Sequence, residues 1–261
     1  MERKSIIEYT ETLGIKLPSH EKFLELSRIF KINPIREKNR SLLNYERGIL
    51  LYALIAKLRP KTVLEIGRAQ GYSTMCMAWA MSENDIDGKI ISVDPNPIDL
   101  PLKMLIDFDE NRSSAVVEMS TRDLWRTYAK KEWIEKIIPV VSYSDELLEQ
   151  DIPKVDFCYI DGHHIKAAVI CDFHVFLQKA SKSFFCLFDD YMDPSEVKDA
   201  IDSEILPYCQ IQLIDTFHGD RVKAVLGVDN TFNKTQMCLI DSSKFNMPIE
   251  RAYQKDHSVK Q

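Results

Sequence analysis

Glycine is scarce, at 8 of 261 residues. There is no Gly/Ser linker, no low-complexity tract and no internal repeat, so nothing divides the chain into a string of modules. None of the six cysteines (Cys76, Cys158, Cys171, Cys186, Cys209, Cys238) forms a CxxC pair. That argues against a zinc site and a disulfide framework, and fits a reducing compartment. Cys158 and Cys186 sit in apolar runs and read as buried small hydrophobes. No segment approaches the roughly 20 apolar residues of a membrane helix, so the expected location is the cytoplasm. Positive charge is not in excess. The net charge is -6 and the basic residues are scattered, which excludes the usual attraction to a nucleic-acid backbone.

What is present is an ordinary globular balance, 45% hydrophobic and 28% charged. The length suits one large α/β domain with a modest N-terminal addition. Residues 1–40 read as polar amphipathic helices broken near Pro18 and Pro34, a helical cap. Residues 41–261 read as the main domain. Within it, Ser41 to Ala56 has helical spacing and ends before Pro60.

Strands and helices then alternate. Thr62–Ile66, Lys89–Asp94, Ile137–Val141, Val155–Asp161 and Ser183–Asp189 are short apolar strands. Gln210–Phe217 and Thr235–Ile240 close the chain as two more. Helices are expected at Ser73–Met81, Leu124–Lys136, Ile165–Gln178 and Pro194–Ile205, the last with proline in its first turn. Met75, Met77 and Trp79 follow at helical spacing and read as core, and Trp125 and Trp133 as helix packing. This order predicts a Rossmann-like, doubly wound, mostly parallel seven-stranded sheet with helices on both faces. Ligands of such sheets bind beyond the carboxyl ends of the strands.

The informative residues do follow the strands. Glu65-Ile66-Gly67-Arg68-Ala69-Gln70-Gly71-Tyr72-Ser73 leaves the first strand and opens a helix. Gly67 permits a tight turn and close approach of a ligand, and Gly71 permits close packing. Ser73 offers a hydroxyl at a helix N-terminus that favours an anion. The loop is G-x-x-x-G, with Ala69 where a dinucleotide fingerprint has its middle glycine. The next strand ends in Asp94, 29 residues after Glu65, where a carboxylate can accept both ribose hydroxyls. Ribose without pyrophosphate fits an adenosyl group better than a dinucleotide.

These segments resemble the class I S-adenosylmethionine-dependent methyltransferases, closest to the catechol-type and sugar O-methyltransferase branch. Glu65-Ile66-Gly67 through Gly71-Tyr72-Ser73 is similar to that branch's first motif, and Val93-Asp94-Pro95 to its second. The resemblance runs from about Asn44 to Asp193. It implies that Gly67 and Ser73 hold the methionine end of S-adenosyl-L-methionine and Asp94 its ribose. Pro95, Ser142 and Tyr143 would flank the adenine. Glu65, Gly71, Tyr72 and Asp161 complete the implied cofactor set.

Asp161 ends one strand, and Asp189 and Asp190 end the next. Neighbouring strands lie about 4.8 Å apart, so three carboxylates crowd one space and repel unless compensated. A divalent cation is the simplest remedy, and oxygen ligands suit Mg²⁺, with Mn²⁺ or Ca²⁺ as alternatives. The competing reading is that these aspartates cap the following helices. Asp161-Gly162 and Phe188-Asp189-Asp190-Tyr191-Met192 also resemble the metal-binding segments of sugar O-methyltransferases.

His163 and His164 follow directly, and either can take a hydroxyl proton near neutral pH. The sugar enzymes place an acidic base at the position of His163, and the catechol type a lysine at that of His164. The sequence therefore points to an O-methyltransferase acting on a hydroxyl of a small metabolite, a sugar or polyol ahead of a catechol. Two other readings stay open: a nicotinamide oxidoreductase, which lacks its third glycine and its Tyr-x-x-x-Lys pair here, and a non-catalytic S-adenosylmethionine-binding protein. The expected partner is a small hydroxylated acceptor, with neither nucleic acid nor membrane. A homo-oligomer is left open.

Overall fold

The computed structural model describes residues 2–30, 45–107, 114–192, 195–216 and 236–245. The central sheet has eight strands: β1 (Glu2–Ser5), β2 (Thr62–Ile66), β3 (Lys89–Val93), β6 (Ile137–Val140), β7 (Val155–Ile160), β8 (Ala180–Phe188), β9 (Cys209–Asp215) and β10 (Gln236–Phe245). Their spatial order is β1-β9-β10-β8-β7-β2-β3-β6. Every pairing is parallel except those of β10, which runs against both β8 and β9.

After β1 at one edge, the chain enters the middle of the sheet at β2, winds outward to β3 and β6, then returns to β7 on the other flank of β2. The switch in strand order lies between β2 and β7. A crevice opens there beyond the strand ends, because the two connections leave in opposite directions.

Helices α1 (Ile6–Leu13), α2 (His20–Ile29), α3 (Glu46–Leu58) and α4 (Tyr72–Glu83) pack into the core cluster on one face, with α5 (Thr121–Tyr128) and α6 (Lys131–Ile134). Helices α7 (Lys166–Lys179) and α8 (Glu196–Ala200) cover the other. Strand alternation divides β2 between the two: Val63 joins the first cluster, Leu64 and Ile66 the second. Met75, Met77, Trp79, Trp125 and Trp133 are buried, as are Cys158 and Cys186, so these readings as packing residues hold. Phe23, Tyr52, Trp79 and Trp133 form one aromatic chain that ties α2 to α3, α4 and α6.

Several expectations need correction. The sheet has eight strands rather than seven, because Glu2–Ser5 pairs in parallel with β9. Four polar residues carry too little apolar alternation to show as a strand. The first described segment is thus a strand followed by two helices. Residues 31–44, including Pro34 and the start of the helix expected from Ser41, lie outside the described residues.

The stretch before Leu124 holds an unforeseen hairpin, β4 (Leu102–Asp107) against β5 (Ser114–Met119). It buries Met104 and Ile106 against the first core cluster. The single helix expected over Leu124–Lys136 is two short ones. The first begins at Ser120, whose hydroxyl accepts from the Asp123 amide at 3.1 Å. The chain turns extended at Ala129, so the helix cannot continue. Pro194 lies outside the described residues; the described helix starts at Glu196, capped by Ser195.

Candidate active site

The turn after β2 lies at the switch point. Gly67 has φ 91°, and a Cβ there would stand 2.0 Å from the Asp161 carbonyl oxygen. The space that Gly67 leaves open is filled by the backbone of the next strand end, not by a ligand. Any side chain would push β2 and β7 apart at the crevice. Gly71 has φ 95° and lies against the Trp125 indole, whose N–H donates to the Gln70 carbonyl at 2.9 Å. Its role in close packing holds.

Asp94 follows β3 and is 6% exposed. Its Oδ2 accepts from the amides of Arg68 (3.0 Å) and Ala69 (2.9 Å), and its Oδ1 from the amide and side chain of Asn96, both at 2.8 Å. The glycine turn and the strand-end acid are therefore one unit, built mainly from main-chain N–H groups. Arg68 lies beside it, 2% exposed. Its guanidinium donates to the carbonyls of Ser92 (2.9 Å), Asn96 (3.0 Å) and Val140 (3.3 Å). Pro95 and Tyr143 are exposed on either side, and Ser142 is buried with its hydroxyl on the Tyr143 carbonyl.

Three expected cofactor contacts point elsewhere. Glu65 shares the strand face of Val63, so its side chain enters the core beneath α4 and is fully buried. It accepts from the hydroxyls of Ser73 (2.6 Å), Thr74 (2.5 Å) and Ser92 (2.5 Å). Burial pushes its carboxyl up to about 7, against the pull of those hydroxyls. Ser73 thus spends its proton on Glu65 rather than on a ligand. The Tyr72 hydroxyl donates to the Tyr45 carbonyl at 2.6 Å and ties α4 to the start of α3.

The second half of the rim gathers the other acids. Asp161, after β7, accepts from Arg47 Nη1 at 2.9 Å, and Asp189, after β8, faces the same nitrogen at 2.8 Å. Arg47 comes from the first turn of α3 and its side chain is only 11% exposed. The Tyr159 hydroxyl lies 2.7 Å from Asp189 Oδ2 and 3.2 Å from Asp161 Oδ2. The carboxylates are therefore not left for a metal alone to compensate: a buried arginine already does part of this. Sequence reading missed Arg47, which stands 114 residues before Asp161 and in no motif.

Neither competing helix-cap role holds. Ile165, not Asp161, precedes α7, and Ser195 caps α8. Asp190 adopts φ 54°, a left-handed backbone that turns its carboxylate back toward the crevice. Its Oδ2 lies 3.3 Å from His164 Nε2, which is also 3.6 Å from Asp161 Oδ1. Asp161, His164 and Asp190 each offer a ligand atom, all within 4.8 Å of one another. Of the expected trio, Asp161 and Asp190 stand in this group with His164, and Asp189 faces Arg47 and Tyr159.

The hydrogen bond to Asp161, then the charges of Asp190, Asp161 and Asp189, raise the His164 pKa against burial. Burial raises Asp189 and Asp190, and Arg47 opposes it in both. His163 is exposed, and its Nδ1 accepts from the Ile165 amide at 3.3 Å.

Residues 64–191 match the family model of the methyltransferase domain. The chain carries a class I methyltransferase domain. No curated protein matches it closely. Solved structures do. An O-methyltransferase from Bacillus cereus, in complex with S-adenosylhomocysteine, superimposes with a TM-score of 0.52 at 13% identity, covering 91% of this chain and 97% of that one. TomG from Streptomyces achromogenes, an O-methyltransferase of tomaymycin synthesis in complex with S-adenosylmethionine, gives 0.55 at 13%, covering 88% and 94%. The methyltransferase PaMTH1 of Podospora anserina, bound to S-adenosylhomocysteine, gives 0.54 at 11%, covering 93% and 94%. At these identities the methyltransferase domain shares their fold, and its chemistry must be argued from its own residues. No helix among the described residues is long and apolar enough to cross a membrane.

Proposed function

We propose that this methyltransferase uses S-adenosyl-L-methionine to methylate a hydroxyl of a small molecule, a sugar or polyol ahead of a catechol. One observation carries the reading. The glycine turn, Asp94 and Asp161 share one rim at the switch point, with Gly67 packed on the Asp161 carbonyl and the turn's amides on Asp94. The bound donor supplies an electrophilic methyl on its sulfonium. The ribose hydroxyls are assigned to Asp94, where they would take over the hydrogen bonds now made by Asn96. The acceptor is assigned to the acid cluster across the crevice.

A divalent cation fits that cluster. With all three aspartates ionised and Arg47 charged, the group keeps two net negative charges. Asp161, His164 and Asp190 would hold the ion, while Arg47 and Tyr159 hold Asp189 and steady Asp161. The ion would lower the pKa of a coordinated hydroxyl and fix its position. An imidazole beside two carboxylates accommodates Mg²⁺ but suits Mn²⁺ or another transition-metal ion better. His164 is then engaged with the acids, and His163 is the free base. It takes the hydroxyl proton as the oxygen bonds the methyl carbon and the carbon–sulfur bond breaks, leaving S-adenosylhomocysteine.

Calorimetry tests the donor. Asp94→Ala should lower S-adenosylmethionine affinity at least about tenfold, since each charge-assisted hydrogen bond contributes roughly 1.5–3 kcal/mol. Unchanged affinity in a folded variant removes the donor assignment. A chelator tests the ion: turnover of a true acceptor should fall and return with Mn²⁺ or Mg²⁺. Full turnover in chelator leaves the acids to Arg47 alone.

A further inference from the structure

The donor side of the rim contains a side chain where the proposed ligand belongs. If adenosine binds as argued above, its ribose lies at Asp94. Its base lies between the segment after β3 (Pro95, Asn96) and the segment after β6 (Ser142, Tyr143). Arg68 bridges those two walls now. Its guanidinium donates to Asn96 on one wall and to Val140, the last residue of β6, on the other, with Ser92 beneath. It is 2% exposed. Asp94 is likewise engaged on both oxygens by protein donors.

The fit of Arg68 is incomplete. Its Nε is buried without a hydrogen-bond partner, and a buried donor left unpaired is costly. Its bonds go to carbonyl oxygens rather than to a carboxylate, and among the described residues Asp94 and Glu65 act on the guanidinium through charge alone, without a direct ion pair. A long, flexible side chain in that position can be replaced by a ligand that satisfies the same walls.

We propose that Arg68 is a resident plug of the nucleoside seat, and that the donor binds only after its guanidinium swings out. The inference rests on the donor reading above. The apparent affinity of the wild type is then its intrinsic affinity scaled by the fraction with the seat open. Arg68 thus sets how much donor is needed to charge the enzyme, and its removal opens the seat permanently.

The test titrates S-adenosylhomocysteine into the full chain and into Arg68→Ala and Arg68→Met, with circular dichroism and thermal melting as the check on folding. Methionine keeps the bulk of the arginine stem, so it supplies a folded variant if alanine does not. The plug predicts that the variants bind at least tenfold tighter than wild type. It also predicts that the wild-type binding rate levels off at high ligand, limited by opening, whereas the variants' rate keeps rising. Equal or weaker binding by a folded variant overturns the plug and leaves the donor reading standing. Absence of binding by wild type and both folded variants overturns both. Binding by the variants alone supports both.

Discussion

The two halves of the rim solve one problem in different ways. Each places carboxylates at strand ends in a nearly closed crevice, and each has a buried arginine beside them. On the donor half, Asp94 is held by main-chain amides of Arg68, Ala69 and Asn96. On the half proposed to receive the acceptor, Asp161 and Asp189 are held mainly by side chains, Arg47 and Tyr159, with one main-chain amide, that of Asp190, on Asp189 Oδ1. Main-chain donors come with the turn and cannot be mutated away. Side-chain donors are individually replaceable, so the acceptor half is the more fragile and the more easily retuned.

The sharpest way to break this comparison is Arg47→Ala. It leaves two buried acids facing each other, and removing one partner of a buried pair typically costs about 3–5 kcal/mol. Urea unfolding at neutral pH measures it. A cost below about 1 kcal/mol would mean that the acids protonate or hydrate freely, and the two halves would not differ.

Glu65 gives the next largest effect, from beneath the donor half. Burial holds its carboxyl at about 7 in the folded chain, against an ordinary 4.5. The folded state therefore binds this proton more tightly than the unfolded chain does. Stability should be greatest below about pH 4.5 on account of this group, fall as pH rises toward 7, and level off above. The fall is about 3 kcal/mol at ~1.4 kcal/mol per pH unit. Glu65→Gln should remove that much of the slope between pH 5 and 8 in urea titrations. A variant that keeps the wild-type slope would show that the carboxyl ionises freely in the core.

The smallest effect sharpens the contrast. Among the described residues, Asn96→Ala removes the one side-chain donor to Asp94 but leaves the amides of Arg68, Ala69 and residue 96 in place. It should cost about 1 kcal/mol or less by thermal melting. A loss as large as that of Arg47→Ala would show that side chains hold both halves alike.

The same contrast explains what the sequence revealed. The donor turn was legible because its parts are local: two glycines at fixed spacing, an apolar strand before them, an acid at the end of the next strand. Each signal reflects a main-chain requirement. The side chains of Ser73, Glu65 and Tyr72 turn to protein partners although they lie in the same motif. Their backbone positions follow from the pattern, but where a side chain points depends on strand parity and on the helix packed above. The acids at Asp161, Asp189 and Asp190 were visible as strand ends. Their partner Arg47 was not, since α3 meets them only through the fold. The hairpin Leu102–Met119 escaped for a similar reason, because its apolar residues bury one face against distant helices.

One edge of the sheet bears on how the protein is made. Glu2 pairs with Gln212 and Ser5 with Asp215, so β1 is synthesised some 210 residues before the strand it pairs with. At about 5–20 residues per second, the wait is roughly 10 to 40 s. Through that interval the opening residues are an unpaired ribbon, available to any other strand edge. Residues that precede Glu2 would be drawn with it to the edge of the sheet when β1 pairs with β9.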